Sequence, residues 1–233
     1  MTELKVLFED KHLIVVIKPP TIGSQSDKNK DEDMSSILKD YLLKKNPSLK
    51  DAYLGIVHRL DRPVGGLMVF AKTEFANAKL SEEIRLKKFN KIYYTVVCGK
   101  PSKNEEELED YLIQLRRINM SKVSLAENKN AKRAQLSYEL LANLNSEEFG
   151  ELSLLKVELK TGRHHQIRVQ LANAGIPIWG DNKYNKTFVK KKTWTQIALW
   201  ATKLSFKHPK EGKVLEFEVK PEDFPFSLFL KKA

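Results

Sequence analysis

The chain has 233 residues, with 41 Lys plus Arg against 30 Asp plus Glu, a formal charge of +11 and a single cysteine. A chain this long buries roughly 70% of its unfolded surface without a disulfide or metal, and one cysteine excludes a disulfide scaffold and points to a reducing compartment. No run approaches the ~18 apolar residues of a membrane-spanning helix, so a soluble, cytoplasmic protein is expected, and the positive balance suits a polyanion such as RNA, DNA or an anionic surface.

In chain order, Leu4 to Ile17 predicts two short strands around a turn at Glu9-Asp10-Lys11, closed by Lys18-Pro19-Pro20 because proline cannot continue a ladder. Ser24 to Asp33 reads as a polar surface loop. Asp33 is placed to N-cap a helix over Met34 to Lys45, with Met34, Ile37, Leu38, Tyr41 and Leu42 on its apolar face and Pro47 beyond its end. Leu67 to Phe70 is a short continuous apolar run, expected as a buried strand, and Pro63 with Gly65-Gly66 makes the turn into it. Thr73 then caps a helix to about Lys88, with Ala76, Leu80 and Ile84 stacked along one side.

Ile92 to Cys98 is a β-branched and aromatic strand, in which Cys98 reads as a small buried hydrophobe. The acidic run Glu105 to Asp110 would repel a phosphate backbone and is expected away from any RNA-binding face. Arg116, Arg117, Lys122, Lys129, Lys132 and Arg133 instead flank short apolar pieces and suit a basic hairpin, either touching RNA or simply solvated. Leu136 to Asn143 and Leu152 to Lys160 are further strands, with a bulge expected at Leu154-Leu155. Gly162 makes a turn, His165 to Asn173 a short helix closed by Gly175, and Trp194 to Phe206 and Lys213 to Val219 two more strands. Strands and helices mix without a βαβ rhythm, which favours an α+β fold with a largely antiparallel sheet.

One segment stands out chemically. His58-Arg59-Leu60-Asp61-Arg62-Pro63-Val64-Gly65-Gly66, leading into the strand that ends Ala71-Lys72, sets one carboxylate among basic side chains on a loop beside a rigid element. An isolated Asp in that setting would be read as a local ion pair or turn cap. The segment resembles the catalytic motif of the RluA-type RNA pseudouridine synthases, with Gly65 where a serine is common. Lys91-Ile92-Tyr93-Tyr94 resembles that family's Lys-x-Tyr strand, and Thr161-Gly162-Arg163-His164-His165-Gln166-Ile167-Arg168-Val169-Gln170-Leu171-Ala172 its third motif. Weaker echoes at Val6 to Asp10, Ile17-Lys18-Pro19 and Leu204 to Pro209 carry the likeness over nearly the whole chain.

The resemblance implies a pseudouridine synthase fold: a long bent, mostly antiparallel mixed sheet with flanking helices and a central cleft. It implies one catalytic domain over residues 1–233, two lobes sharing one sheet, with no separate N-terminal RNA-binding domain. Asp61 then takes the role of catalytic carboxylate, as nucleophile or as proton-abstracting base, and Arg168 that of the arginine paired with it. Attraction at ~4 Å with an effective dielectric near 20 is about 4 kcal/mol, opposing the desolvation that would protonate the acid. Tyr93 would stack on the target uracil, with Tyr94 on the opposite strand face. Arg59 would fill the gap left by the extruded uridine, Arg163 hold a phosphate and Ile197 pack beneath the base, although Trp200 replaces a histidine common in the family.

The reaction changes no oxidation state and transfers no external group, so no cofactor is expected. His164-His165 with His58 could suggest zinc, but adjacent histidines diverge and no second ligand pair follows, so no metal is expected either. The expected partner is structured rRNA or tRNA, and without a heptad or long apolar helix the expected state is a monomer. Two other readings fit parts of the pattern. A noncatalytic RNA-binding or ribosome-assembly factor suits the charge equally but needs no desolvated carboxylate, and a glycoside or nucleoside hydrolase would need a second carboxyl group, which the three motifs lack.

Overall fold

The computed structural model describes residues 4–26, 31–48, 50–191 and 194–230; residues 27–30 of the expected Ser24 to Asp33 loop lie outside them. In chain order the first elements are β1 (Lys5–Glu9), β2 (Leu13–Lys18), α1 (Met34–Lys45), β3 (Gly55–Ile56), β4 (Gly65–Ala71), α2 (Glu74–Arg85) and β5 (Asn90–Cys98). They are followed by β6 (Glu105–Leu115), β7 (Met120–Ser124), β8 (Lys132–Ser146), β9 (Gly150–Leu159), α3 (Gln166–Asn173), α4 (Lys186–Val189), β10 (Leu199–Lys207) and β11 (Val214–Glu218). The chain divides into two compact units, Met1–Asn90 with Ala201–Val219 and Lys91–Trp200 with Lys220–Ala233. The α+β expectation holds.

The first unit is ordered β1-β2-β4-β10, with β11 against β10 and β3 against β4. Every residue of β4 is buried, as its unbroken apolar run requires. Leu13, Val15, Leu67, Val69, Leu80, Phe89, Leu204 and Phe206 form the core on one side of this sheet. Both expected helix starts are present: the Asp33 carboxylate accepts the Ser35 and Ser36 amides, and Thr73 Oγ1 accepts that of Ala76. The second helix stops three residues before the expected Lys88. Lys87 turns left-handed at φ 57°, and its amide and that of Lys88 bond back to Ile84 and Glu83, closing the helix in a Schellman turn. Gly66 enters β4 at φ 120°, where a Cβ would lie 2.4 Å from the Ala201 carbonyl oxygen, so β10 can approach only a glycine.

The second unit is the antiparallel run β5-β9-β8-β6-β7. The acidic run is the start of β6, and its length was hidden by charge: Glu107 pairs with Lys160, and Glu109 takes a fork from Arg133 at 2.6 and 2.8 Å. The basic hairpin is present as β6 and β7 joined by a turn over Arg116–Ile118. The bulge lies one strand away from where the sequence suggests it. Leu155 faces Leu140 and Leu154 faces Ala142, so the extra residue is Leu141 of β8. The Leu154-Leu155 doublet instead reflects burial on both faces of β9. The last long strand starts at Leu199 rather than Trp194, because Ala198 is tied to Trp179 and Val96 outside any regular ladder. Cys98 ends β5 half-buried, accepts Asn185 Nδ2 at 3.4 Å, and burial pushes its thiol up, which leaves it an inert small side chain.

Candidate active site

Asp61 sits half-buried on the loop between β3 and β4, and that loop is fastened at nearly every other residue. His58 Nε2 accepts the Val69 amide at 3.2 Å. Ser24 Oγ donates to the Leu60 carbonyl at 2.8 Å and accepts the Leu60 amide at 3.0 Å, while the Leu60 side chain is buried. The Asp61 carbonyl accepts the Val64 amide at 2.9 Å, closing the Pro63 turn. Arg59 is exposed on the same loop, and Arg62 is paired with Asp31 at 2.8 Å. Proline fixes only its own φ; these bonds make the whole loop a fixed mount for one carboxylate.

The base of that mount is a residue to which sequence reasoning gave no role. Lys18 ends β2 fully buried, and its Nζ donates to the carbonyls of Pro19 at 2.9 Å, Ile22 at 2.7 Å and Arg62 at 3.1 Å. Three carbonyls match the three protons of an ammonium. Burial pulls the Lys18 pKa from 10.5 down to about 7; the Asp61 charge opposes this and the Arg62 charge adds to it. The available signal was a lysine directly behind the apolar run Leu13-Ile14-Val15-Val16-Ile17, a place where a solvated lysine does not belong.

In the second unit Arg168 lies on α3 at 2% exposure. Its Nε and Nη2 fork onto Asp181 at 2.8 and 2.7 Å, and Asp181 is itself fully buried. The two parallel N–H donors of the guanidinium meet both carboxylate oxygens, a bidentate charge-assisted pair. Asp181 also went unremarked in the sequence, although it follows Gly180, whose φ of 74° and 2.2 Å approach of a built Cβ to the Gln196 carbonyl oxygen leave room only for glycine. The two glutamines of the third motif dock the helix. Gln166 accepts Thr161 Oγ1 and the Arg163 amide, and Gln170 reaches Leu108, Asp110 and Ala134, docking the helix on β6 and β8.

The other sites expected from the sequence also fall in this unit. Tyr93 is buried on β5 opposite Val157, and Tyr94, on the other face, is half-buried. Ile197 is buried beside the same strand, because the following Ala198 carbonyl accepts Thr95 Oγ1 at 2.7 Å and the Val96 amide at 3.0 Å. Arg163 is exposed ahead of α3, with its Nε donating to the Arg133 carbonyl at 2.9 Å. His164 and His165 do not diverge as adjacent residues were expected to: the left-handed backbone of His165, at φ 53°, brings the two rings into a stack at 3.8 Å, with His164 bridging Ser121 Oγ and Asn119 Oδ1 and His165 Nδ1 meeting the Tyr184 hydroxyl at 2.8 Å.

Taken unit by unit, the sequence-derived residues divide cleanly: Asp61 and Arg59 on the pinned loop, and Tyr93, Arg163, Arg168 and Ile197 around β5 and α3. The family model for RNA pseudouridylate synthase matches residues 12–173, which span all three motifs. An uncharacterized RNA pseudouridine synthase of Helicobacter pylori is 34% identical over 221 residues, covering 93% of this chain and 66% of that protein. The ribosomal large subunit pseudouridine synthase D of Zymomonas mobilis is 31% identical over 234 residues, covering 94% of this chain and 70% of that one. The structure of human RNA Pseudouridylate Synthase Domain Containing 4 shares the fold at a TM-score of 0.77 and 19% identity, over 93% of this chain and 88% of that one. Motifs, fold and relatives agree: the chain belongs to the RNA pseudouridylate synthase family.

Proposed function

We propose that the protein converts uridine to pseudouridine in structured RNA, with ribosomal RNA the first target to test. The observation that carries this reading is the Asp61 loop, which holds one carboxylate on a mount pinned by His58, Ser24 and Lys18. In the reaction the bond from N1 to C1′ breaks, a bond from C5 to C1′ forms, N1 gains a proton and C5 loses one. Asp61 acts as nucleophile or as the base that starts this exchange. Arg168 supplies a permanent positive charge, Tyr93 a ring for the uracil, and Ile197 an apolar floor. Arg59 takes the space of the extruded base and Arg163 binds a phosphate.

The ribosomal target is supported by the names of relatives such as the Zymomonas mobilis protein, and transfer RNA shares the required structured uridines. No helix among the described residues is long and apolar enough to cross a membrane. Action in the cytoplasm as a monomer, without cofactor or metal, completes the proposal.

The test is tritium release from RNA labelled at C5 of uridine, prepared from a strain lacking the gene, with wild-type protein beside Asp61→Ala. Release by the wild type, at least about a thousandfold faster than by the variant, is expected. Salt-dependent RNA binding without release would point instead to a noncatalytic RNA-binding factor, and free uracil to a hydrolase.

A further inference from the structure

In the second unit a basic turn and a buried arginine are joined through one side chain, Tyr184. Its hydroxyl accepts the Ser121 amide of β7 at 2.7 Å and meets His165 Nδ1 at 2.8 Å. Its ring lies 5.3 Å from the guanidinium carbon of Arg168, within cation–π range. Its own amide donates to Asp181 Oδ1 at 3.2 Å, the oxygen that also receives Arg168 Nη2 and the Lys183 amide. The ring packs on the cluster of Leu112, Ala134 and Val169.

The turn is fastened from its other side as well. His164 spans Asn119 and Ser121, and Lys183 Nζ donates to the Asn119 carbonyl at 2.6 Å. Beyond these fastenings the turn projects Arg116, Arg117 and Ile118 into solvent, Ile118 at 59% exposure. Two exposed guanidiniums on a short rigid turn suit phosphate contact, and they are anchored to the hub that orients Arg168.

We propose that Tyr184 is a positioning residue with two separable duties: its hydroxyl sets the Arg116–Arg117 turn for RNA contact, and its ring sets the Arg168 guanidinium for the reaction. The second duty rests on the reading of Arg168 given above. Phenylalanine keeps the ring and loses the hydroxyl, whereas leucine loses both.

The experiment compares Y184F, Y184L, the double variant R116A/R117A and the triple variant combining it with Y184F. Tritium release and filter binding use C5-tritiated total RNA from a strain lacking the gene, and melting curves accompany both. Y184F is expected to raise the apparent KM and the RNA Kd about tenfold, and the triple variant to bind no more weakly than R116A/R117A, because one contact is lost in either case. Y184L is expected to lower kcat a further tenfold or so relative to Y184F.

Multiplying effects of Y184F and R116A/R117A, or an unchanged Kd in Y184F, would overturn the first duty. Equal kcat for Y184F and Y184L would overturn the second. Should Y184L fail to melt cooperatively, Y184M fills the same site and carries the kcat comparison. A wild-type protein that binds RNA but releases no tritium would refute the catalytic reading and the second duty with it, and the binding cycle alone would then decide the first.

Discussion

Each unit buries a cation next to a residue of chemical interest, and the two do so by opposite means. Lys18 is held in the first unit by three neutral carbonyls under the Asp61 loop; Arg168 is held in the second by the full charge of Asp181 and the face of Tyr184. Carbonyl dipoles stabilise an ammonium less than a carboxylate stabilises a guanidinium, and lysine can shed its proton where arginine cannot. Burial makes the lysine under the loop sensitive to pH near neutrality.

The largest effect is expected for Asp181→Asn. It removes the charge of the carboxylate that forks onto the buried Arg168 guanidinium and is expected to cost about 3–5 kcal/mol in denaturant unfolding. Lys18→Met removes one donor from three carbonyls and is expected to cost less, about 1–3 kcal/mol at pH 7.

The pH dependence sharpens the contrast. Folded Lys18 titrates at about 7 against 10.5 unfolded, so between those values the unfolded chain binds more protons and wild-type stability rises with pH. The rise is at most about 1.4 kcal/mol per pH unit. The deficit of Lys18→Met should therefore widen from pH 7 to pH 10, and the comparison between the two proteins cancels Lys91, which burial also lowers. A parallel pair of stability curves would sink this account. The smallest effect is expected at Glu109→Gln, which loosens the exposed fork to Arg133 and should leave the unfolding midpoint unchanged within error.

Local rules made most of the fold legible. Asp33 and Thr73 announce their helices because a capping side chain acts within three residues, and β4 announces itself because a strand covered on both faces needs an unbroken apolar run. β6 stayed hidden because its carboxylates are satisfied by Arg133 of β8 and by Lys160 just beyond β9, which are far along the chain and carry no local signal. The bulge was displaced from β9 to β8 for a related reason: a register shift belongs to a pair of strands, and one sequence segment shows only half of it.

In the candidate site the motifs pointed to Asp61 and Arg168 but not to Lys18, Ser24, Asp181 or Tyr184. Those four act by tying together residues far apart in the chain, so their chemistry becomes visible only once the backbone has brought their partners close.

The approach of Gly66 to Ala201 has a consequence for how the molecule is made. β4 carries the Asp61 loop, yet the strand beside it emerges from the ribosome only after the segment Lys91–Trp200 of the second unit has been synthesised. Until then the edge of β4 away from β2 is paired only with β3, at Phe70 and Ala71, and the rest is an apolar edge of the kind that invites intermolecular pairing. The residues around the candidate catalytic aspartate are thus translated well before the strand that completes their sheet, and nascent chains truncated before Ala201 should be the aggregation-prone ones.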